Sequence, residues 1–306
     1  MIPKVNILMG CYNGAKYLPE QLDSIEAQTH QNWCVYASDD GSADGTLDIL
    51  KAYQVKWGSN KLVIHQGPCN GFAQNFLSMA CNPKIVADYY AFCDQDDVWL
   101  PEKLTAAIHF FSMKDSSVPY IYGGRTTYVD MNLKKTGSSS IFTYPTSFNN
   151  ALVQNVAGGN TMIFNNAAKT LLTKVGIVDV VAHDWWLYIL IVGCGGRMHY
   201  DSRPYLLYRQ HPGALIGAND TLRCQLIRFV KLLKGEYKQW NNRNIGALKL
   251  ANSFLSDNSR KTLDQFILYR NSNLIRRLRM LSICGFYRQG WHGEISLFLA
   301  ALLKRI

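Results

Sequence analysis

The chain has eight cysteines but no CxxC pair, and none stands with histidine at zinc-ligand spacing. Structural zinc modules and thioredoxin-like redox motifs are thereby excluded. Several cysteines, such as Cys34 and Cys93, sit inside apolar runs, where the thiol acts as a small buried hydrophobe. That usage predicts free thiols in a reducing, cytoplasmic compartment. Long apolar runs are also missing. The longest near the end, Ile295 to Leu303, stops at Lys304-Arg305, well short of the ~20 residues a spanning helix needs. The opening Met1-Ile2-Pro3-Lys4 leads straight into a strand-like segment, without the apolar stretch or cleavage site of a signal peptide. No internal repeat is present. The expectation is a protein that does not cross a membrane but can lie on one.

Acidic residues are scarce only at the end. Residues 220–306 hold 5 Asp+Glu against 16 Lys+Arg, a net of +11. Residues 1–219 hold 17 against 16, a net of −1, so the overall +10 belongs to the C-terminal segment. Anionic lipid, nucleic acid, an acidic protein or plain solvent can each answer to such a face. Leu222, Leu226, Phe229, Val230 and Leu233 recur at helical spacing, with Arg223, Arg228, Lys231 and Lys234 between them.

What is present in the first 218 of the 306 residues is a regular alternation. Apolar strand-like runs at Val5–Met9, Trp33–Ala37, Lys61–His65 and Tyr89–Cys93 are separated by segments with helical spacing, such as Leu18, Leu22 and Ile25. Alternation of this kind predicts βαβ units and a doubly wound sheet. Further strands are expected at Ile121–Gly124 and Thr161–Phe164, and a mobile loop at 137–150. Polar and acidic clusters follow the strands, where open α/β sheets bind ligands.

The sharpest cluster is Asp94-Gln95-Asp96-Asp97. Three carboxylates in four residues repel one another unless a cation sits among them. Asp94 and Asp96, two apart at a strand end, can face one side and share Mg²⁺ or Mn²⁺ with substrate phosphates. Asp97, ahead of Trp99-Leu100-Pro101-Glu102-Lys103, suits a helix N-cap instead. Ser38-Asp39-Asp40-Gly41-Ser42 reads by itself as a turn and N-cap, with a carboxylate facing a base imide as the other reading. Asp184 in His183-Asp184-Trp185-Trp186 reads as an N-cap or as a base beside two sugar-stacking rings. His211 in Tyr208-Arg209-Gln210-His211 reads as a structural histidine or a metal ligand, with Arg209 able to grip phosphate.

Cys11-Tyr12-Asn13-Gly14, the Asp39 cluster and Asp94-Gln95-Asp96-Asp97, in this order and spacing, resemble glycosyltransferase family 2. The resemblance runs from residue 4 to about 218 through Gly158-Gly159-Asn160-Thr161 and the segments around Asp184 and His211. It is greatest to the bacterial branch that holds rhamnosyltransferases of surface-polysaccharide assembly. It implies a nucleotide-binding, doubly wound mixed sheet of the glycosyltransferase type A fold over 1–218, followed by a basic helical segment, 219–306. It implies that Cys11, Tyr12, Asn13, Asp39, Asn70, Gln74, Asp94 and Gln95 line the nucleotide, and that Asp96, with Asp94 and His211, holds Mn²⁺ or Mg²⁺. Asp184 is implied as the base, and Arg209, Trp185 and Trp186 as neighbours of the diphosphate or acceptor. Where the family commonly carries an Arg reaching the nucleotide, this chain has Gln74. The implied partners are a dTDP- or UDP-linked sugar, a lipid-linked glycan acceptor and an anionic membrane surface at the cytoplasmic face of the inner membrane, and not nucleic acid. A UDP-hexose transferase and a noncatalytic sugar-nucleotide binder remain the alternatives. A nucleotidyltransferase would need a Gly-rich, cationic loop after the first strand, and Cys11-Tyr12-Asn13-Gly14 is not one.

Overall fold

The structure, a computed structural model, describes residues 2–211, 230, 232 and 234–306. The expected alternation is there: β1 (Val5–Cys11), α1 (Leu18–Glu26), β2 (Trp33–Asp39), α2 (Thr46–Trp57), β3 (Leu62–Gln66), α3 (Phe72–Ala80) and β4 (Tyr89–Asp94). Then come β5 (Val98–Trp99), α4 (Lys103–Ser112), β6 (Tyr120–Gly124), β7 (Thr127–Val129), β8 (Lys135–Ser138) and α5 (Phe148–Ala151). A 3-10 turn at Gly159–Thr161 leads to β9 (Ile163–Asn165), α6 (Asn166–Val175), α7 (His183–Gly193), β10 (Arg197–Asp201) and β11 (Leu206–Arg209). Four described helices close the chain: α8 (Glu236–Leu250), α9 (Asp257–Arg270), α10 (Leu274–Ile283) and α11 (Gly290–Leu302).

The main sheet has seven strands in the order β10-β6-β9-β4-β1-β2-β3. β1 runs parallel to both β2 and β4, whereas β9 is antiparallel to β4 and β6. The sheet is therefore mixed. Because strand side chains alternate between faces, β1 feeds two cores. Leu8 joins Phe76, Phe92, Phe164 and the apolar α7, while Ile7, Met9 and Cys11 join Leu18, Leu22 and Leu104 on the other face. Burial on both faces explains why the central strands read as continuous apolar runs. A second sheet, β5-β11-β7-β8, lies beyond β4 in the chain and carries β11 beside the acidic cluster.

Three local expectations change. The strand expected at Thr161–Phe164 begins at Ile163, because Gly159–Thr161 closes a tight turn, with Met162 N–H donating to Gly159 O at 2.8 Å. The 137–150 loop contains the end of β8 and the start of α5, the latter capped by Ser147, which accepts from Asn150 N–H. Asp97 caps no helix: β5 intervenes, and the N-cap of α4 is Glu102.

The C-terminal helices do not form a core apart from the sheet. Leu248, Leu263, Phe266, Phe286 and Leu297 join the cluster around α7. Ser256 N–H donates to Gly193 O at the end of α7, and Asn149 Nδ2 donates to Cys284 O. The proposed boundary at 218/219 and the apolar face at 222, 226, 229 and 233 lie outside the described residues. No described helix is long and apolar enough to span a membrane. The described cysteines are free.

Candidate active site

The segments singled out in the sequence gather where β1, β2 and β4 end. After Cys11 the chain turns sharply, and Asn13 takes φ 48°, a left-handed conformation that Asn tolerates. Asn13 N–H donates to Ser42 Oγ at 2.9 Å, and its Oδ1 accepts from Ala43 N–H at 2.8 Å. Gln95 clamps the neighbouring peptide. It accepts from Tyr12 N–H and donates to Tyr12 O, both at 2.8 Å. A Cβ on Gly14 would come within 2.1 Å of Gln95 Oε1, so only glycine admits this clamp. The Tyr12 ring is left 60% exposed over the resulting rim.

Asp39 is buried, and its carboxylate accepts from Ser42 N–H at 3.0 Å and from Ser42 Oγ. Asp40 accepts from Cys69 N–H at 2.7 Å and Gly71 N–H at 3.2 Å, holding the loop that carries exposed Asn70. Gln74 does not point to this rim. Its Nε2 donates to Val178 O at 2.9 Å and ties α3 to the segment before α7.

Four acids meet next to these loops. Asp94, half-buried at the end of β4, has its carboxyl pushed up to about 7 by burial first, then by Asp96 and Asp184, against the pull of Lys103. Asp97 is sealed and held well above the carboxylate range by burial and by Asp96 and Asp94. It accepts from Asn160 Nδ2 at 2.7 Å and Arg209 N–H at 3.2 Å, locking the turn before β9 and strand β11 to one carboxylate. Lys103 lies beneath, buried, its ammonium pushed down to about 8 by desolvation. Its Nζ donates to Asn160 O and sits 4.5 Å from the Trp99 ring centroid. Lys103 was not among the expected site residues. Its signal was positional: on α4 it shares the buried face with Leu104, Ala107 and Phe111.

Just beyond β11, His211 meets the cluster, with Nε2 2.8 Å from Asp96 Oδ2 and the ring against Tyr17 at 4.9 Å. Among the described residues no three Asp, Glu, His or Cys side chains stand close enough to enclose a metal ion. Of the expected trio of Asp94, Asp96 and His211, the last two are in direct contact.

Arg209 departs from expectation. Its guanidinium is buried, with Nε donating to Asp96 O at 2.9 Å, Nη1 to Met131 O at 2.7 Å and Nη2 to Glu20. It stacks on Tyr17, 4.6 Å from the ring centroid. Three of its five N–H donors hold β11 and the 94–97 segment in place, and its burial turns the fork away from the open rim.

Asp184 sits in the first turn of α7, not at its N-cap, which is Ala182. Its Oδ2 accepts from Gly159 N–H at 2.9 Å and its Oδ1 from Trp185 N–H at 2.7 Å. Burial nevertheless raises its pKa, outweighing these bonds. His183 beside it stacks on Phe76 at 3.9 Å, and neither ring nitrogen has a partner. Burial pushes its pKa down to about 3. Trp185 and Trp186 are core residues, not a sugar platform: Trp185 Nε1 donates to Ala151 O at 2.7 Å, and Trp186 is 0% exposed. The start of a helix that is apolar all round must turn its rings inward.

The chain and its mixed α/β fold have relatives among known proteins. Residues 6–172, more than half of the chain, match the family model for glycosyl transferase family 2. The chain belongs to this family. It is 27% identical over 265 residues to the dTDP-rhamnosyl transferase RfbG of Shigella flexneri, a match covering 81% of this chain and 85% of that protein. It is 28% identical over 234 residues to the UDP-Glc:alpha-D-GlcNAc-diphosphoundecaprenol beta-1,3-glucosyltransferase WfaP of Escherichia coli, covering 75% and 85%. Among solved structures, S. aureus TarS 1-349 in complex with UDP-GlcNAc superposes with a TM-score of 0.55 at 17% identity, covering 98% of this chain and 90% of that one. The mannosyltransferase PcManGT from Pyrobaculum calidifontis, in complex with GDP-Man and Mn²⁺, gives 0.52 at 17% identity, covering 100% and 86%. The fold is the glycosyltransferase type A fold, and the protein is a glycosyltransferase.

Proposed function

We propose that the protein transfers a sugar, rhamnose before others, from a dTDP-linked donor to a hydroxyl of a lipid-linked glycan, with inversion at C1. Its place would be the synthesis of a cell-surface polysaccharide such as O-antigen, at the cytoplasmic face of the inner membrane. The observation that carries the reading is the meeting of Asp94, the Asp96–His211 pair and Asp184 at one edge of the sheet, with Asp184 close enough for its charge to raise the Asp94 pKa. The choice of dTDP-rhamnose rests on the similarity to RfbG.

Tyr12, Asn13 and Asp39 would receive the nucleoside, with Cys11, Gln95 and exposed Asn70 shaping the rim. The Asp96 carboxylate and His211 imidazole form an oxygen–nitrogen donor pair, which suits Mn²⁺ and admits Mg²⁺ when phosphate oxygens and water complete the shell. Such an ion supplies charge neutralisation for the leaving nucleoside diphosphate. Asp184 would take the proton of the acceptor hydroxyl as that oxygen bonds to C1 and the C1–O bond to the diphosphate breaks. Its raised pKa makes it a stronger base than an exposed carboxylate, while the Gly159 and Trp185 amides hold its orientation.

A UDP-hexose donor is the second reading, favoured by the similarity to WfaP. A donor panel decides between them: dTDP-rhamnose, UDP-glucose and UDP-GlcNAc, each with Mn²⁺ or Mg²⁺, followed by release of nucleoside diphosphate. Turnover of none of the three, with binding of one, would leave a noncatalytic binder and overturn the enzyme reading.

A further inference from the structure

Helix α11 is apolar on its outward face as well as its buried one, unlike a helix at a solvated surface. Its buried face, Leu297, Ala300 and Ala301, joins the main core. Its outward face carries Trp291, Ile295, Phe298 and Leu302, exposed by 65, 49, 48 and 40%. Spacings of four, three and four place these residues on one stripe. A helix against water puts polar side chains there. Of the polar residues on the helix, exposed His292 stacks on the Trp291 ring at 3.4 Å, and Ser296 accepts from Arg288 Nη1. Glu294, the only acid from 274 onward, accepts from Arg288 N–H, and Arg277 is buried, donating to Ala301 O and Ser272 O between α10 and α11. The cations left exposed are Lys304 and Arg305 at the end of the stripe and Arg276 and Arg279 on α10. Exposed Ile275 and Ile283 add apolar surface on that helix.

We infer that the α11 stripe is a docking face for an anionic bilayer, Trp291, Ile295, Phe298 and Leu302 entering the boundary between headgroups and acyl chains. Apolar insertion next to exposed cations is the chemistry of interfacial helices. A soluble acidic partner would meet the same cations, but an aromatic–aliphatic stripe whose one neighbouring acid, Glu294, is engaged by Arg288 N–H favours lipid. The inference rests on the reading of the acceptor as lipid-linked. It also relocates the membrane face: the apolar repeat at 222–233 is not needed for it.

The test is flotation of the full chain with vesicles of phosphatidylcholine alone or with added phosphatidylglycerol, at low and high salt. Wild type is expected to float with the anionic vesicles. Trp291→Ser/Phe298→Ser should lower partitioning by about tenfold or more, and Lys304→Glu/Arg305→Glu should reproduce the effect of high salt. Brominated lipid should quench tryptophan emission in wild type and less in Trp291→Phe, a readout independent of any folding defect in the serine variant. Wild type that stays unbound, or serine and phenylalanine variants that behave as wild type, would overturn the inference. So would a wild-type dimer that the serine variant dissociates while flotation is unchanged. Donor turnover measured without lipid separates the two readings. If docking alone fails, turnover persists without flotation; if the enzyme reading alone fails, flotation persists without turnover.

Discussion

Replacing Asp184 by Asn changes one atom and removes the proton acceptor. Both carboxylate oxygens are engaged, Oδ2 by Gly159 N–H at 2.9 Å and Oδ1 by Trp185 N–H at 2.7 Å. An amide keeps one acceptor oxygen, so one of those N–H groups would face an NH₂. That mismatch costs about 1–3 kcal/mol. A neutral amide also relieves the desolvation that raises the Asp184 pKa, so the two effects oppose and the variant should fold. Loss of a general base removes about 10²- to 10⁴-fold in rate, or roughly 3–5.5 kcal/mol of barrier. The catalytic loss therefore exceeds the structural one. The assay is single-turnover transfer at saturating donor and acceptor, with donor affinity by calorimetry and stability by urea unfolding. The expected result is a rate lower by about 10²-fold or more, with donor affinity retained. A rate within about tenfold of wild type, in a protein that still binds donor, would refute Asp184 as the base.

Arg209→Ala should cost about 2–3 kcal/mol in urea unfolding, less than a fully buried pair because Glu20 is half exposed. Arg209→Lys should recover only part of this, since an ammonium cannot span Asp96 O, Met131 O and Glu20 together; full recovery by Lys would count against the guanidinium's role as a brace. His183 is held neutral, its pKa pushed down to about 3, while the unfolded chain binds that proton near 6.5. Its stability contribution is intact above the unfolded value and falls below it, by about 2 kcal/mol between pH 7 and pH 5. His183→Leu should lose that share of the pH dependence, and identical urea midpoints shifts in both proteins would contradict it. For the metal, Asp96→Asn and His211→Ala should each raise the Mn²⁺ needed for half-maximal activity, on the order of 10- to 100-fold. Unchanged activation curves in both variants would remove the pair as its ligands.

Much of the fold was legible because the central strands are buried on both faces. Val5–Met9 and Tyr89–Cys93 are apolar without interruption, and each ends at a polar cluster, so strand order in the chain and the ligand edge could be read together. The reversal of β9 could not. It depends on the turn at Gly159–Thr161, where a Cβ on Gly159 would lie 2.6 Å from His183 Nε2, a partner two dozen residues away.

The same division runs through the site. By itself the sequence determined the family-like order of Asp39, Asp94–Asp97, Asp184 and His211, since residue type and spacing along strand ends are local properties. Tertiary packing decided which of these side chains remain free to act. Arg209 and Gln74 carry the right groups, but long-range bonds to Glu20, Met131 and Val178 hold them as braces. Trp185 and Trp186 stand next to Asp184 in the chain and fall into the core, because α7 is buried on every side. Lys103 became part of the site by the opposite route: burial brought its charge under Asp94 and Asp97. Hydrogen-bond saturation and desolvation are set by neighbours distant in sequence, and they separated the reactive groups from the braces.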